Sequence, residues 1–237
     1  MERCTLDRSI QTYIRGRPLP KFPRLVVPGY PHHVTQRGAR RQQTFFDEMD
    51  YRSYISLMME LKNKAGVSIW AYCLMPNHIH MIAVPKEKQS LAKLFGVVHQ
   101  RYATRVNALH EWRGHLWQER FYSVVMDESH TLSAIRYVEL NPVRAGLCRR
   151  PEDWSWSSVH GHLGNSADDL LDDSAVCAAI IDWRGFLSEQ DPSNFVDTIR
   201  RQTNTGRPKG DDQFIDTLER KSGRRIRCHN PGPIPKR

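Results

Sequence analysis

The chain lacks the features of a membrane or secreted protein. No apolar run approaches the roughly 20 residues that cross a bilayer, and mean hydropathy is −0.61. Met1 to Leu25 carry Arg and Lys but no apolar signal core, so neither a membrane protein nor an exported one is expected. Cysteine is scarce: five in 237 residues, an odd number with no Cys-x-x-Cys. That argues against a disulfide scaffold and fits reduced thiols. Internal repeats are absent. Acidic residues are outnumbered, 26 against 35 Lys and Arg, for a net charge of +9. The excess sits at the ends. Residues 1–43 hold nine basic and two acidic groups, and residues 200–237 hold eleven and four, +7 each, which leaves 44–199 at −5. Two basic ends around a mildly acidic body suggest a polyanionic partner, most often nucleic acid.

With 39% hydrophobic residues, the chain can bury one sizeable core, or a core domain and a smaller module. Residues 1–28 read as a basic, irregular arm, since Pro18, Pro20, Pro23 and Pro28 break any helix. A strand is expected from Tyr30 to Gln36, then a basic loop after Gly38. Asp50 to Ala65 reads as an amphipathic helix ended by Gly66. Val67 to Leu74 and His78 to Val84 read as strands joined by the Met75-Pro76-Asn77 turn. A helix from Ser90 places Leu91, Leu94, Phe95, Val98, Tyr102, Val106 and Leu109 on one face. Arg120 to Met126 is a further strand. The order β-α-β-β-α-β predicts an α+β fold, a ferredoxin-like antiparallel sheet with two helices on one face. One more helix is expected near Thr131 to Asn141, stopped by Pro142. Residues 161–174 read as an acidic linker, 175–222 as a small helical C-terminal extension, and 223–237 as a basic, disordered tail.

His78 and His80 are the sharpest chemical feature. On a strand, residues i and i+2 share a face, so two imidazoles project side by side and could chelate a divalent ion. Spacing alone is weak evidence, because His160 and His162 repeat it beside the linker; that pair reads as chance. The adjacent His32 and His33 should point to opposite faces. Two tyrosines compete as nucleophile. Tyr102 lies on an apolar stripe and reads as a core residue with its hydroxyl at the rim. Tyr137 lies on the flank of its helix, four residues before Asn141, so the two side chains are neighbours. Asn141 offers an amide oxygen, an acceptable third ligand for a hard or borderline ion. Taken singly, each of these residues also has an ordinary structural explanation, and the residues alone leave both readings open.

Four segments in order narrow the choice: MPNHIHMI (Met75 to Ile82), HLWQERF (His115 to Phe121), RYVELNPVRAGL (Arg136 to Leu147) and WSWSS (Trp154 to Ser158). Together they resemble the REP-associated tyrosine transposases, relatives of the insertion-sequence transposases within the HUH endonucleases. The resemblance covers about residues 25–160, and TGRPKGDDQFIDTLE (Thr205 to Glu219) is similar to an extension of longer family members. It implies a catalytic domain over 29–160, with His78 and His80 as the HUH pair, Tyr137 as nucleophile and Asn141 as third metal ligand. It implies Mg²⁺ or Mn²⁺ as cofactor and single-stranded DNA with palindromic hairpins as partner. It also implies a 5′-phosphotyrosine intermediate and a cytoplasmic, nucleoid-associated location, with the protein a monomer or homodimer. Tyr102 matches no catalytic position.

That chemistry is physically coherent. A tyrosine hydroxyl ordinarily ionises near pH about 10 and is a poor nucleophile at neutrality. A metal on the scissile phosphate offsets this by withdrawing charge. Arg37, Arg40, Arg41, Arg120 and Arg144 are expected to contact DNA phosphates. Trp112, Trp117, Trp154 and Trp156 are read as mostly structural. Three alternatives compete: a relaxase-type HUH nickase, a hairpin-binding regulator without cleavage, and a zinc site at Cys73 and His78 or Cys228 and His229. The single tyrosine helix, the intact His78, His80, Tyr137 and Asn141, and the missing second ligand pair argue against them in turn.

Overall fold

A computed structural model describes residues 13–14, 17–18, 24–189, 196–199, 205–208 and 210–227. Its centre is a four-stranded antiparallel sheet: β1 (His32–Arg37), β2 (Val67–Met75), β3 (His78–Pro85) and β4 (Tyr122–Val125), in the order β2-β3-β1-β4. With helix α1 (Glu48–Ala65) after β1 and α2 (Ser90–Leu109) after β3, this is the expected ferredoxin-like topology. β1 begins two residues later than the Tyr30 expected from composition, and β4 is shorter than 120–126.

Local chemistry sets the helix ends. Asp47 caps α1 by accepting from the Asp50 amide at 2.9 Å, so the helix starts at Glu48 rather than Asp50. Gly66 closes it in the left-handed region at φ 66°. The buried side of α1 is Tyr51, Tyr54, Met58 and Lys62, while Ile55 and Leu61 are half-buried. α2 buries Leu91, Leu94, Phe95, Val98, Tyr102 and Val106, while Leu109 at the helix end is exposed. These helices cover one sheet face, packing on Val34, Ile69, Tyr72, Leu74, Ile79 and Met81.

The other face is covered too, which the two-helix expectation did not include. Helix α3 (Glu128–Glu139), capped by Asp127 on the His130 amide at 2.8 Å, packs across Ala71, Cys73, Met75 and Ile82. α3 ends at Glu139, ahead of Pro142 as expected. The proline itself enters the first turn of α4 (Asn141–Arg144), where its missing N–H matters little, so the helical path continues past Asn141. Behind α3 come α5 (Val159–His162), α6 (Ala175–Ala178) and α7 (Trp183–Ser188), the last two within the extension expected to be helical.

Residues 161–174 are pinned along the sheet edge rather than left as a free tether. Asp172 accepts from the Ile69 amide at 2.8 Å and from Lys62 Nζ at 2.9 Å, Asp168 accepts from the Tyr72 hydroxyl at 2.8 Å, and Leu170 is buried. The polar composition that suggests a linker here serves an edge strand's unpaired groups. Helix α8 (Asp212–Ser222) docks Phe214 and Leu218, with Ile226, on Leu25, Val27 and Val125. The segments at 24–27 and 223–227 are therefore packed rather than loose, while the remainder of the 228–237 tail lies outside the described residues. Within the expected helical extension, residues 196–199 are described and helical. No helix among the described residues is long and apolar enough to cross a membrane.

Candidate active site

Strand pairing builds the site. β3 sits between β1 and β2, with His80 opposite Thr35 and Cys73, and His78 opposite Arg37 and Met75. His78 and His80 share the face that α3 covers, and their ring centroids lie 4.9 Å apart. Tyr137 projects from α3 onto the same face. Its ring meets that of His80 edge-on, centroids 5.6 Å apart and planes at 81°. Asn141 follows at the start of α4, buried, and its Nδ2 has no hydrogen-bond partner among the described residues. Thus His78, His80 and Tyr137, from two separate segments, converge on one side of the sheet, with Asn141 one helical turn beyond Tyr137.

The imidazoles are held neutral. Burial, then the Arg37 charge, pushes His78 down to about 3. Burial, then His78, His33, Arg37 and Arg144, holds His80 well below its ordinary value. Neutral imidazole is the ligating form. His78 Nδ1 donates to Asn77 Oδ1 at 2.6 Å, while Asn77 Nδ2 donates to the Arg41 carbonyl at 3.1 Å. That chain leaves His78 Nε2 as the lone-pair nitrogen. His80 Nδ1 is likewise engaged, 2.9 Å from His33 Nε2. Two imidazole nitrogens and one amide oxygen form a donor set that suits a borderline or hard divalent ion completed by other oxygen ligands.

Tyr102 is elsewhere. It is fully buried under α1, and its hydroxyl donates to the Thr44 carbonyl at 2.7 Å instead of reaching the rim. His160 and His162 do not pair on a common ligand: His162 binds Glu139 at 2.6 Å. Cys73, opposite His80, is a buried thiol pushed well up by burial, a poor thiolate ligand; Cys228 and His229 lie outside the described residues. Trp117 is buried, with its indole donating to the His99 carbonyl at 3.1 Å. Trp112 is exposed, and Trp154 and Trp156 are partly buried.

The five arginines divide into groups. Arg40 and Arg120 line one groove of about 920 Å³ with Arg24 and His115. Arg37 ends β1 beside His78, and Arg41 is exposed next to Asn77. Arg144 is exposed but lies over Tyr137: its guanidinium is 4.3 Å from the Tyr137 ring centroid and donates to the Tyr137 carbonyl. It holds the tyrosine helix.

Two residues near the site escape a reading of the sequence. One is His33, whose ring lies nearly parallel to that of His80, 12° between planes. The other is Glu139, fully buried between Tyr137 and Asn141. It accepts from Ser158 Oγ at 2.6 Å, His162 Nδ1 at 2.6 Å and Trp183 Nε1 at 2.8 Å. Arg136, one turn earlier, donates to the Phe186 carbonyl at 2.7 Å and pairs with Glu189. Helix α3 therefore presents Tyr137 to the histidines and Arg136 with Glu139 to the segment behind it. In the sequence Glu139 stands only between Val138 and Leu140; its partners lie 19 to 44 residues away and carry no local signature.

The site is thus a pair of histidines on a central strand of a ferredoxin-like sheet, facing a tyrosine-bearing helix. Residues 27–141 match the family described as Transposase IS200 like. A proposed REP-associated tyrosine transposase of Haemophilus influenzae is 24% identical over 101 residues, 38% of this chain and 57% of that protein. The chain thus spans 57% of the length of that curated relative. Among solved structures, a REP-associated tyrosine transposase bound to a REP hairpin superimposes with a TM-score of 0.51 at 18% identity, over 74% of this chain and 100% of that one. A proposed transposase from Deinococcus radiodurans R1 gives 0.36 at 20% identity, over 51% of this chain and 96% of that one.

Proposed function

We propose that this chain cuts and rejoins single-stranded DNA beside palindromic hairpins, with Tyr137 as nucleophile and His78, His80 and Asn141 as the seat of a Mg²⁺ or Mn²⁺ ion. The observation that carries this reading is the approach of the Tyr137 ring to His80 on the sheet face where His78 also lies. When bound, the ion would withdraw charge from the scissile phosphate. The phenolic oxygen of Tyr137 attacks phosphorus and loses its proton to water. The bond from phosphorus to the 3′-oxygen breaks, and that oxygen takes up a proton to become a free 3′-hydroxyl. The 5′-phosphate stays on Tyr137. Attack by a 3′-hydroxyl on this phosphotyrosine restores a phosphodiester and the phenol, with no need for ATP because the ester energy is conserved.

The basic groove with Arg24, Arg40 and Arg120 suits a phosphate backbone, and Arg37 and Arg41 extend positive charge toward His78. The test is a denaturing gel of purified protein with a labelled single-stranded hairpin oligonucleotide, in Mn²⁺ or EDTA. A covalent adduct that needs metal and is lost in Tyr137→Phe but kept in Tyr102→Phe is expected. An adduct lost in Tyr102→Phe instead would move the nucleophile; hairpin binding without any adduct would favour a regulator.

A further inference from the structure

His33 lies on β1, in a strand that none of the candidate metal ligands shares, yet its Nε2 is 2.9 Å from His80 Nδ1. Both rings are buried, His33 3% and His80 7% exposed, so water does not stand in for the missing partner of either nitrogen. One hydrogen therefore joins the two rings, and the direction in which it points decides what His80 can do. If His80 donates from Nδ1, its Nε2 is a lone pair and can ligate. If His33 donates, His80 carries its hydrogen on Nε2 and that nitrogen is blocked.

The neighbouring histidine shows the same arrangement with an unambiguous partner. His78 Nδ1 meets Asn77 Oδ1, an oxygen that only accepts, at 2.6 Å. Both imidazoles of the pair thus have Nδ1 occupied, one by an amide and the other by a histidine. We infer that His33 is a positioning residue that accepts from His80 Nδ1, fixing its tautomer and ring plane so that Nε2 faces the space beside Tyr137. The near-parallel His33 and His80 rings, and Tyr137 lying edge-on to both at 6.1 and 5.6 Å, fit a rigid three-ring arrangement. A neutral acceptor in this place also keeps negative charge out of the buried face, where a carboxylate would be costly to desolvate. The inference rests on His80 being a metal ligand, but it makes a statement about the metal-free protein that can be read separately.

The tautomer of His80 is measured directly by long-range ¹H–¹⁵N correlation on ¹⁵N-histidine-labelled, metal-free protein. Wild type is expected to show hydrogen on Nδ1. His33→Leu, which removes the acceptor at similar bulk, is expected to move the hydrogen toward Nε2 and to weaken Mn²⁺ binding, read by electron paramagnetic resonance, about 10–100-fold. His33→Gln keeps an acceptor at the same reach and is expected to restore most of that affinity. Hydrogen on Nε2 in the wild type overturns the inference, and needs no variant to be folded. So does an unchanged tautomer and affinity in a folded His33→Leu protein. Wild type with the Nδ1 tautomer and no Mn²⁺ binding would leave His33 as proposed and sink the metal reading instead.

Discussion

The ring of Tyr137 stands edge-on to the ring of His80, 5.6 Å between centroids, and both belong to the same chain. One copy thus brings together the candidate nucleophile and the histidine pair. Mixing a Tyr137→Phe protein with a His80→Ala protein is therefore expected to give no adduct with a hairpin oligonucleotide. Adduct formation in the mixture would mean that copies exchange the tyrosine helix.

The two tyrosines that compete in the sequence differ in what they support. Tyr102→Phe removes a buried donor and leaves the Thr44 carbonyl without it. The expected loss is about 1–3 kcal/mol in urea unfolding. Tyr137→Phe is expected to change stability by under about 0.5 kcal/mol, as for a substitution that breaks no buried hydrogen bond. A large loss in Tyr137→Phe would show that its hydroxyl is structural.

Glu139 ties the tyrosine helix to the segment behind it. Glu139→Ala leaves Ser158, His162 and Trp183 without their shared acceptor and is expected to destabilise the fold by about 3–5 kcal/mol. Glu139→Gln retains one acceptor and should lose less. Burial opposes the charge on His162, but its bonds to Cys177 and Glu139 outweigh that and raise it to about 9. A raised histidine stabilises the fold below its ordinary value of 6.5 and loses that contribution as pH rises through about 9. The melting temperature should therefore fall between pH 7 and about 9.5, and Glu139→Ala should remove that slope.

The acid limb has a separate cause. His32 and His33 are pushed down to about 4, and His78 and His99 to about 3, chiefly by burial. The folded protein keeps them neutral where the unfolded chain takes up protons. Stability is therefore complete above pH 6.5 and is lost as pH falls toward about 4, by roughly 1.4 kcal/mol per pH unit for each proton. Thermal melts from pH 7 to 4.5 in the absence of metal should show a steep fall, and a flat profile would contradict the burial of these rings.

The β-α-β-β-α-β order was legible along the chain, because the apolar periods of 2 and 3.6 residues are local properties. The same periods put His78 beside His80 on one strand face and Tyr137 one turn from Asn141. Pro142 was legible as well: the helix before it ends at Glu139, and the proline itself is accommodated in the first turn of α4.

Tertiary structure alone decided which distant groups meet. The sheet register sets Thr35 opposite His80 and so swings His33 within hydrogen-bond distance of a residue 47 positions away. Burial on the second sheet face brought α3 over the histidines and closed Ser158, His162 and Trp183 around Glu139. The acidic stretch that composition marks as a linker became an edge cover because Asp172 and Asp168 found donors on α1 and β2. None of these contacts has a local period, since each is selected by satisfying buried polar groups across the whole core.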